Sequence, residues 1–124
     1  VLSGKVSSLS NEWKTCCIDA GGWTFETPMA SLAMGSQVRL RVLARDVSIA
    51  VEKPDSISIR NRLQAEVEEI AAHPSEPAYQ LVKLKCPNGE GRLVSRILRQ
   101  SVTELGLHPG SQVWALVKAS AVIM

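Results

Sequence analysis

The sequence predicts an all-β protein: two small closed barrels in tandem, each read as strand, hairpin, short helix and long strand. Three observations carry that expectation. The tetrapeptide Gly-Ser-Gln-Val occurs at residues 35–38 and again at 110–113, each time ahead of a strand-like run. Leu63-Gln64-Ala65-Glu66-Val67 falls opposite Leu2-Ser3-Gly4-Lys5-Val6, which extends the repeat back to its first strand. Short alternating segments are separated by turn signals, among them Gly21-Gly22 and Asn88-Gly89.

The elements follow in chain order. Residues 1–9 read as a strand, 13–20 as a second closed by Gly21-Gly22, and 23–26 as its return. Thr27-Pro28 has the form of an N-cap followed by proline at the first helical position, so one helical turn is expected over 28–33. Residues 38–51 read as one long strand with Val38, Leu40, Val42 and Ala44 on one face and Arg39, Arg41 and Arg45 on the other. The polar, proline-containing stretch 52–58 reads as the connector between copies.

In the second copy, residues 60–72 have high helix propensity. The repeat match and the Ala65/Val67 alternation decide instead for a strand. A loop is expected at 71–78 with Pro74 and Pro77, a strand at 79–86, a hairpin turn at Asn88-Gly89 and a return at 91–98. Ser101-Val102-Thr103-Glu104 has capping-box form, Gly106 suits the end of that short helix, and 113–123 closes the chain as a strand. Many short strands with turn signals suggest barrels of the OB type. The expected division is 1–57 and 58–124, with end strands open to exchange, because about 60 residues make a marginal barrel alone.

Composition bounds the function. The chain has 124 residues, 45% hydrophobic and 21% charged, enough apolar content for a core of mainly Val, Leu, Ile and Ala. A net charge of +2 is too mild to imply nucleic acid. Three cysteines, two of them adjacent (Cys16, Cys17), do not make a disulfide framework and fit a reducing compartment. No apolar stretch approaches the roughly 18–20 residues of a membrane span, and no signal peptide is evident. The start at Val1, already in strand phase, reads as part of a longer protein.

Catalysis finds little support. His73 and His108 lie in proline-flanked loops without partners at ligand spacing, and Cys16-Cys17 has neither a CxxC pattern nor a histidine. Leu2-Ser3-Gly4-Lys5 lacks the glycine spacing and following hydroxyl of a phosphate loop, so no nucleotide site is encoded. Anion binding does better. Ser56, Ser58, Arg60 and Asn61 put hydroxyls and a guanidinium ahead of a strand, and Lys118-Ala119-Ser120 supplies an ammonium, a hydroxyl and a small residue. A fully deprotonated tetrahedral oxyanion is a pure acceptor and needs converging donors of these kinds. The same residues read equally well as ordinary solvated strand ends.

The segments Ser58-Ile59-Arg60-Asn61, Ser101–Leu107, Gly110 and Val113–Ser120 resemble the Mop-type molybdenum-binding (molbindin) unit. The first copy, with 38–49 reading VRLRVLARDVSI, resembles the C-terminal TOBE region of molybdate-importer ATPase subunits. The resemblance implies tandem OB-like (Mop/TOBE) barrels, a homodimer formed through this domain, and a parent ATP-hydrolysing subunit coupled to a membrane permease. It implies a cytoplasmic location at the inner face of the cell membrane. The ligand would be molybdate or tungstate, with no organic cofactor, no catalytic residue in this segment, no nucleic acid and no membrane insertion.

Family pockets form between units, from the S-x-R-N strand of one and the K-A-S end of another. Carried over, these are Ser58, Arg60, Lys118, Ala119 and Ser120, with Ser101 as a further candidate. Leu98 stands where related units carry a threonine, and Ala44-Arg45-Asp46 ends the first copy. A carboxylate at Asp46 would repel a dianion unless paired, for instance with Arg45. Three functions compete: a regulatory oxyanion-sensing domain, a purely structural dimerisation module, and a nucleic-acid-binding OB domain prompted by Arg39, Arg41, Arg45, Arg92, Arg96 and Arg99.

Overall fold

The computed structural model describes residues 1–124 and consists of two antiparallel sheets. The first contains β1 (Leu2–Ser10), β2 (Thr15–Ala20), β3 (Trp23–Pro28) and β4 (Gln37–Leu40), in the order β3-β2-β1-β4. The second contains β5 (Ser48–Ala50), β6 (Asn61–Ala72), β7 (Tyr79–Lys85), β8 (Arg92–Leu98) and β9 (Gln112–Val117), in the order β5-β9-β6-β7-β8. One helix, α1 (Arg99–Glu104), follows β8. Residues 61–72 are a strand despite their helix propensity: pairing to β7 and β9 and burial of Leu63, Ala65 and Val67 override the local preference.

The repeat is a structural one, and it explains the repeated tetrapeptide. β1 carries a register shift between Val6 and Ser8 against β2, and β6 carries the same shift between Val67 and Glu69 against β7. At each irregularity the Gly-Ser-Gln-Val motif closes the gap. The Gly35 N–H donates to the Val6 carbonyl at 2.9 Å, and the Val6 N–H to the Ser36 carbonyl at 3.0 Å. Gly110, Val67 and Ser111 repeat both bonds at 2.8 and 2.9 Å. Gly35 and Gly110 adopt φ of +79° and +95°, a backbone region that other residues enter only with strain.

Each copy ends in a 3-10 turn, Ala44–Asp46 in the first and Ala119–Ala121 in the second. The residues entering these turns have matching geometry, Leu43 at φ −68°, ψ 143° and Lys118 at φ −60°, ψ 143°. Beyond each turn the chain crosses to the other sheet. Ser48 of β5 pairs with Leu116 of β9, and Ile123 bridges to Arg41. Hydroxyls reinforce the exchange. Ser95 Oγ on β8 donates to the Val47 carbonyl at 2.6 Å, and Thr27 Oγ1 on β3 donates to the Ala119 carbonyl at 3.4 Å.

One core of 21 buried residues runs through both sheets. It is mainly Val, Leu and Ala, joined by Ile18, Trp23, Phe25 and two cysteines, Cys16 and Cys86. The tips of the two hairpins touch, with the Gly91 N–H donating to the Gly21 carbonyl at 2.8 Å. A Cβ on Gly91 would lie 2.8 Å from that oxygen and 2.9 Å from the Trp23 ring, so the contact requires glycine.

Four local expectations give way to tertiary pairing. Residues 28–33 form no helical turn: Thr27 and Pro28 are the paired end of β3, and the Met29 N–H donates to the Lys14 carbonyl. The first copy therefore has no α-helix. Residues 38–51 are not one strand, because the chain leaves β4 at Leu40, turns at 44–46 and enters the second sheet as β5. The closing strand likewise stops at Val117. Ser101 caps nothing. Helix α1 starts at Arg99 behind Leu98, which makes no side-chain cap, so Ser101 lies inside the helix. Gly106 ends it with φ +63°, as the sequence suggests.

Candidate functional site

The end of the β6–β9 ladder is where the carried-over residues gather. Asn61 is the first residue of β6 and pairs with Val117, the last of β9. Arg60 and Lys118 therefore occupy the first positions beyond the ladder, on adjacent strands. Lys118 leads into the 3-10 turn that contains Ala119 and Ser120. A turn so short gives the Ala119 and Ser120 N–H groups no acceptor, and they make no other backbone hydrogen bond. Ser58, Arg60, Lys118 and Ser120 are exposed.

The two cations face different clefts. Lys118 has no ion-pair partner and lines an opening of about 190 Å³ with Arg45, Asp46, Ser48, Ile59, Leu116 and Ala121. Arg60 lines another, of about 420 Å³, with Trp13, Thr15 and Glu26. Ser58 borders neither, and Ser101 lies on α1, half-buried and away from both. Within one chain the structure thus joins Arg60 and Lys118 by register but divides their side chains between two surfaces.

Arg60 is engaged. Its Nε donates to Glu26 Oε2 at 2.8 Å, and this hydrogen bond, with the attraction of the carboxylate, raises the guanidinium pKa above its ordinary value. Asn61, only 2% exposed, fixes Glu26 from the other side. The Glu26 N–H donates to Asn61 Oδ1 at 2.7 Å, and Asn61 Nδ2 donates to the Glu26 carbonyl at 2.9 Å. Nothing in the sequence marks Glu26, because its partners Arg60 and Asn61 lie 34 and 35 residues away, at the start of a strand in the other sheet. The S-x-R-N signature is divided accordingly: Asn61 holds the two sheets together, while Arg60 reaches the surface.

The first copy's turn lacks this chemistry. Structural equivalence aligns Leu43-Ala44-Arg45 with Lys118-Ala119-Ser120, so an apolar side chain stands where the second copy has its ammonium. Asp46 is met by Arg45 at 3.8 Å. The histidines organise loops. His73 Nδ1 accepts from the N–H groups of Ser75 and Glu76, and His108 Nδ1 lies 3.0 Å from the Pro109 carbonyl.

The TOBE domain family matches residues 57–124, more than half of the chain. The chain belongs to the TOBE domain family. This TOBE domain is 43% identical over 98% of its length to the molybdenum import ATP-binding protein ModC of Brucella abortus (strain 2308). It is 32% identical over 99% of its length to ModC of Methylococcus capsulatus. It spans about a third of these curated relatives, 33% and 34% respectively. Among solved structures, the cytoplasmic molybdate-binding protein ModG, in a form with molybdate bound, superimposes with a TM-score of 0.80 at 28% identity. That match covers 98% of this chain and 92% of ModG. The all-β, OB-like architecture with two sheets is thus shared with a molybdate-binding protein.

Proposed function

We propose that this TOBE domain binds molybdate or tungstate and regulates import by a molybdate ABC transporter, as part of that transporter's ATP-binding subunit. The observation that carries the reading is the donor set at the β6–β9 end: the Arg60 guanidinium, the unpaired Lys118 ammonium and the free N–H groups of Ala119 and Ser120. Such a set suits an anion that only accepts hydrogen bonds. Similarity to ModC relatives and to molybdate-bound ModG supports the choice of ligand.

Because Arg60 and Lys118 face separate clefts, the pocket is completed by a second copy, which brings its own 118–120 turn against the Ser58–Arg60 segment of the first. The halves 1–57 and 58–124 act as two lobes, with the second as the better binder. Occupancy favours one arrangement of the paired subunits, and abundant oxyanion inside the cell slows import through the permease. The site lies on the cytoplasmic side of the membrane and uses no organic cofactor. The domain contributes no catalytic residue of its own.

Titration calorimetry with molybdate, tungstate and sulfate tests the reading. Heat of binding is expected for the wild type, and at least a tenfold weaker association for Lys118→Ala. No heat with any oxyanion at millimolar concentration refutes it. A second reading, a module that only pairs subunits, is favoured by the Glu26 carboxylate on Arg60 and by Leu43 in the first copy. It predicts a dimer whose sedimentation is indifferent to molybdate. Nucleic-acid binding is less well supported: Trp114 is covered by Lys53, leaving Trp13 as an isolated exposed indole with no stacking platform.

A further inference from the structure

The Glu26 carboxylate occupies Arg60, one of the donors proposed for the oxyanion, and nothing in the proposed binding role accounts for it. We infer that Glu26 is an internal competitor that sets how strongly Arg60 holds an oxyanion, so that ligand affinity is tuned from the first sheet. The inference rests on the oxyanion-binding reading above and names a residue that controls the same site.

The geometry supports competition. Arg60 meets Glu26 through Nε alone, at 2.8 Å. The carboxylate side is the fixed one, with Glu26 22% exposed and its backbone clamped by two hydrogen bonds with the Asn61 side chain. The guanidinium side is the free one, 68% exposed, on a residue just outside the ladder. An arriving dianion therefore finds a cation whose charge is already neutralised at contact distance. It must displace the carboxylate or bind beside it against its repulsion. Either route weakens binding by the same sign, and exposure to water limits the effect to roughly three- to tenfold.

Glu26→Gln separates charge from orientation, because the amide oxygen keeps an acceptor for Arg60 Nε while the negative charge is removed. In molybdate titrations of the wild-type protein, Glu26→Gln, Arg60→Gln and the double variant, Glu26→Gln is expected to bind about three to ten times more tightly. That gain should vanish in the Arg60→Gln background, since the coupling belongs to the pair. Trp13 lines the same cleft, so its fluorescence, isolated by comparison with Trp13→Phe, should report ligand at lower concentration in Glu26→Gln. Glu26→Thr, a good strand former too short to reach Arg60, carries the same expectation if the glutamine variant folds poorly. Wild-type binding with unchanged or weaker binding in both variants overturns the inference and leaves the oxyanion reading intact. Silence from the wild type and both variants sinks the two together.

Discussion

Replacing Asn61 by alanine should cost this protein about 2–4 kcal/mol of stability, and the figure follows from two bonds. Asn61 Oδ1 accepts the Glu26 N–H at 2.7 Å and Nδ2 donates to the Glu26 carbonyl at 2.9 Å, in a side chain 2% exposed. Each bond contributes about 0.5–1.5 kcal/mol net, and a buried group left without its partner costs about 1–3 kcal/mol. Alanine strands an N–H and a carbonyl together. Glu26 is only half-buried, so water recovers part of the loss and the lower half of the summed range applies. For a chain of 124 residues, at about 2.1 cal/mol/K of unfolding entropy per residue, that is a drop in Tm of roughly 8–15 °C. Asn61→Asp should be no better, since its second oxygen would face the Glu26 carbonyl. Urea unfolding followed by circular dichroism measures the effect. A loss below about 0.5 kcal/mol, within the range of surface substitutions, would refute the idea that Asn61 ties β3 to β6.

Two further outcomes are expected. Gly91→Ala forces the hairpin tips apart, because its Cβ would sit 2.8 Å from the Gly21 carbonyl oxygen and 2.9 Å from the Trp23 ring. A destabilisation of about 1–3 kcal/mol in the same unfolding assay is expected, with Trp23 becoming more accessible to a fluorescence quencher. Glu66 has its pKa lowered below 4.5, chiefly by its hydrogen bond from Lys85, with Gln112 assisting. Its favourable contribution is therefore complete above pH 4.5 and fades as the pH falls through the lower, folded value. Glu66→Gln should lower Tm modestly at neutral pH, where that contribution is complete, and make the acid limb of a Tm-against-pH curve shallower, so that the two curves converge at low pH.

The repeat was legible in the sequence because it is local and literal. Gly-Ser-Gln-Val recurs since only glycine suits the left-handed turn that feeds its N–H to the irregular strand, so its two places in the chain mark two places in the fold. Residues 61–72 were legible by comparison with 2–9, against their own helix propensity. The failures share one cause. Thr27-Pro28 carries a helix-start pattern, but the Thr27 hydroxyl lies against Ala119, 92 residues away, and its backbone belongs to β3. The alternation at 38–44 carries no mark of the crossover to the other sheet. At the candidate site, Arg60 and Lys118 were legible as basic residues at strand ends, but not as neighbours across the β6–β9 ladder. Glu26 was not, because a glutamate alternating along a strand looks the same whether it faces water or an arginine from another sheet.

The crossing of each copy's tail into the opposite sheet has a mechanical consequence. Ser48–Ala50 is paired to β9, and Ile123 is bonded in both directions to Arg41, so neither half can swing away without pulling a segment out of its neighbour. A flexible joint at the connector would be idle under such bracing. Tilting either half must carry the other with it, and a small displacement at the β6–β9 end would be delivered across the whole length of the block.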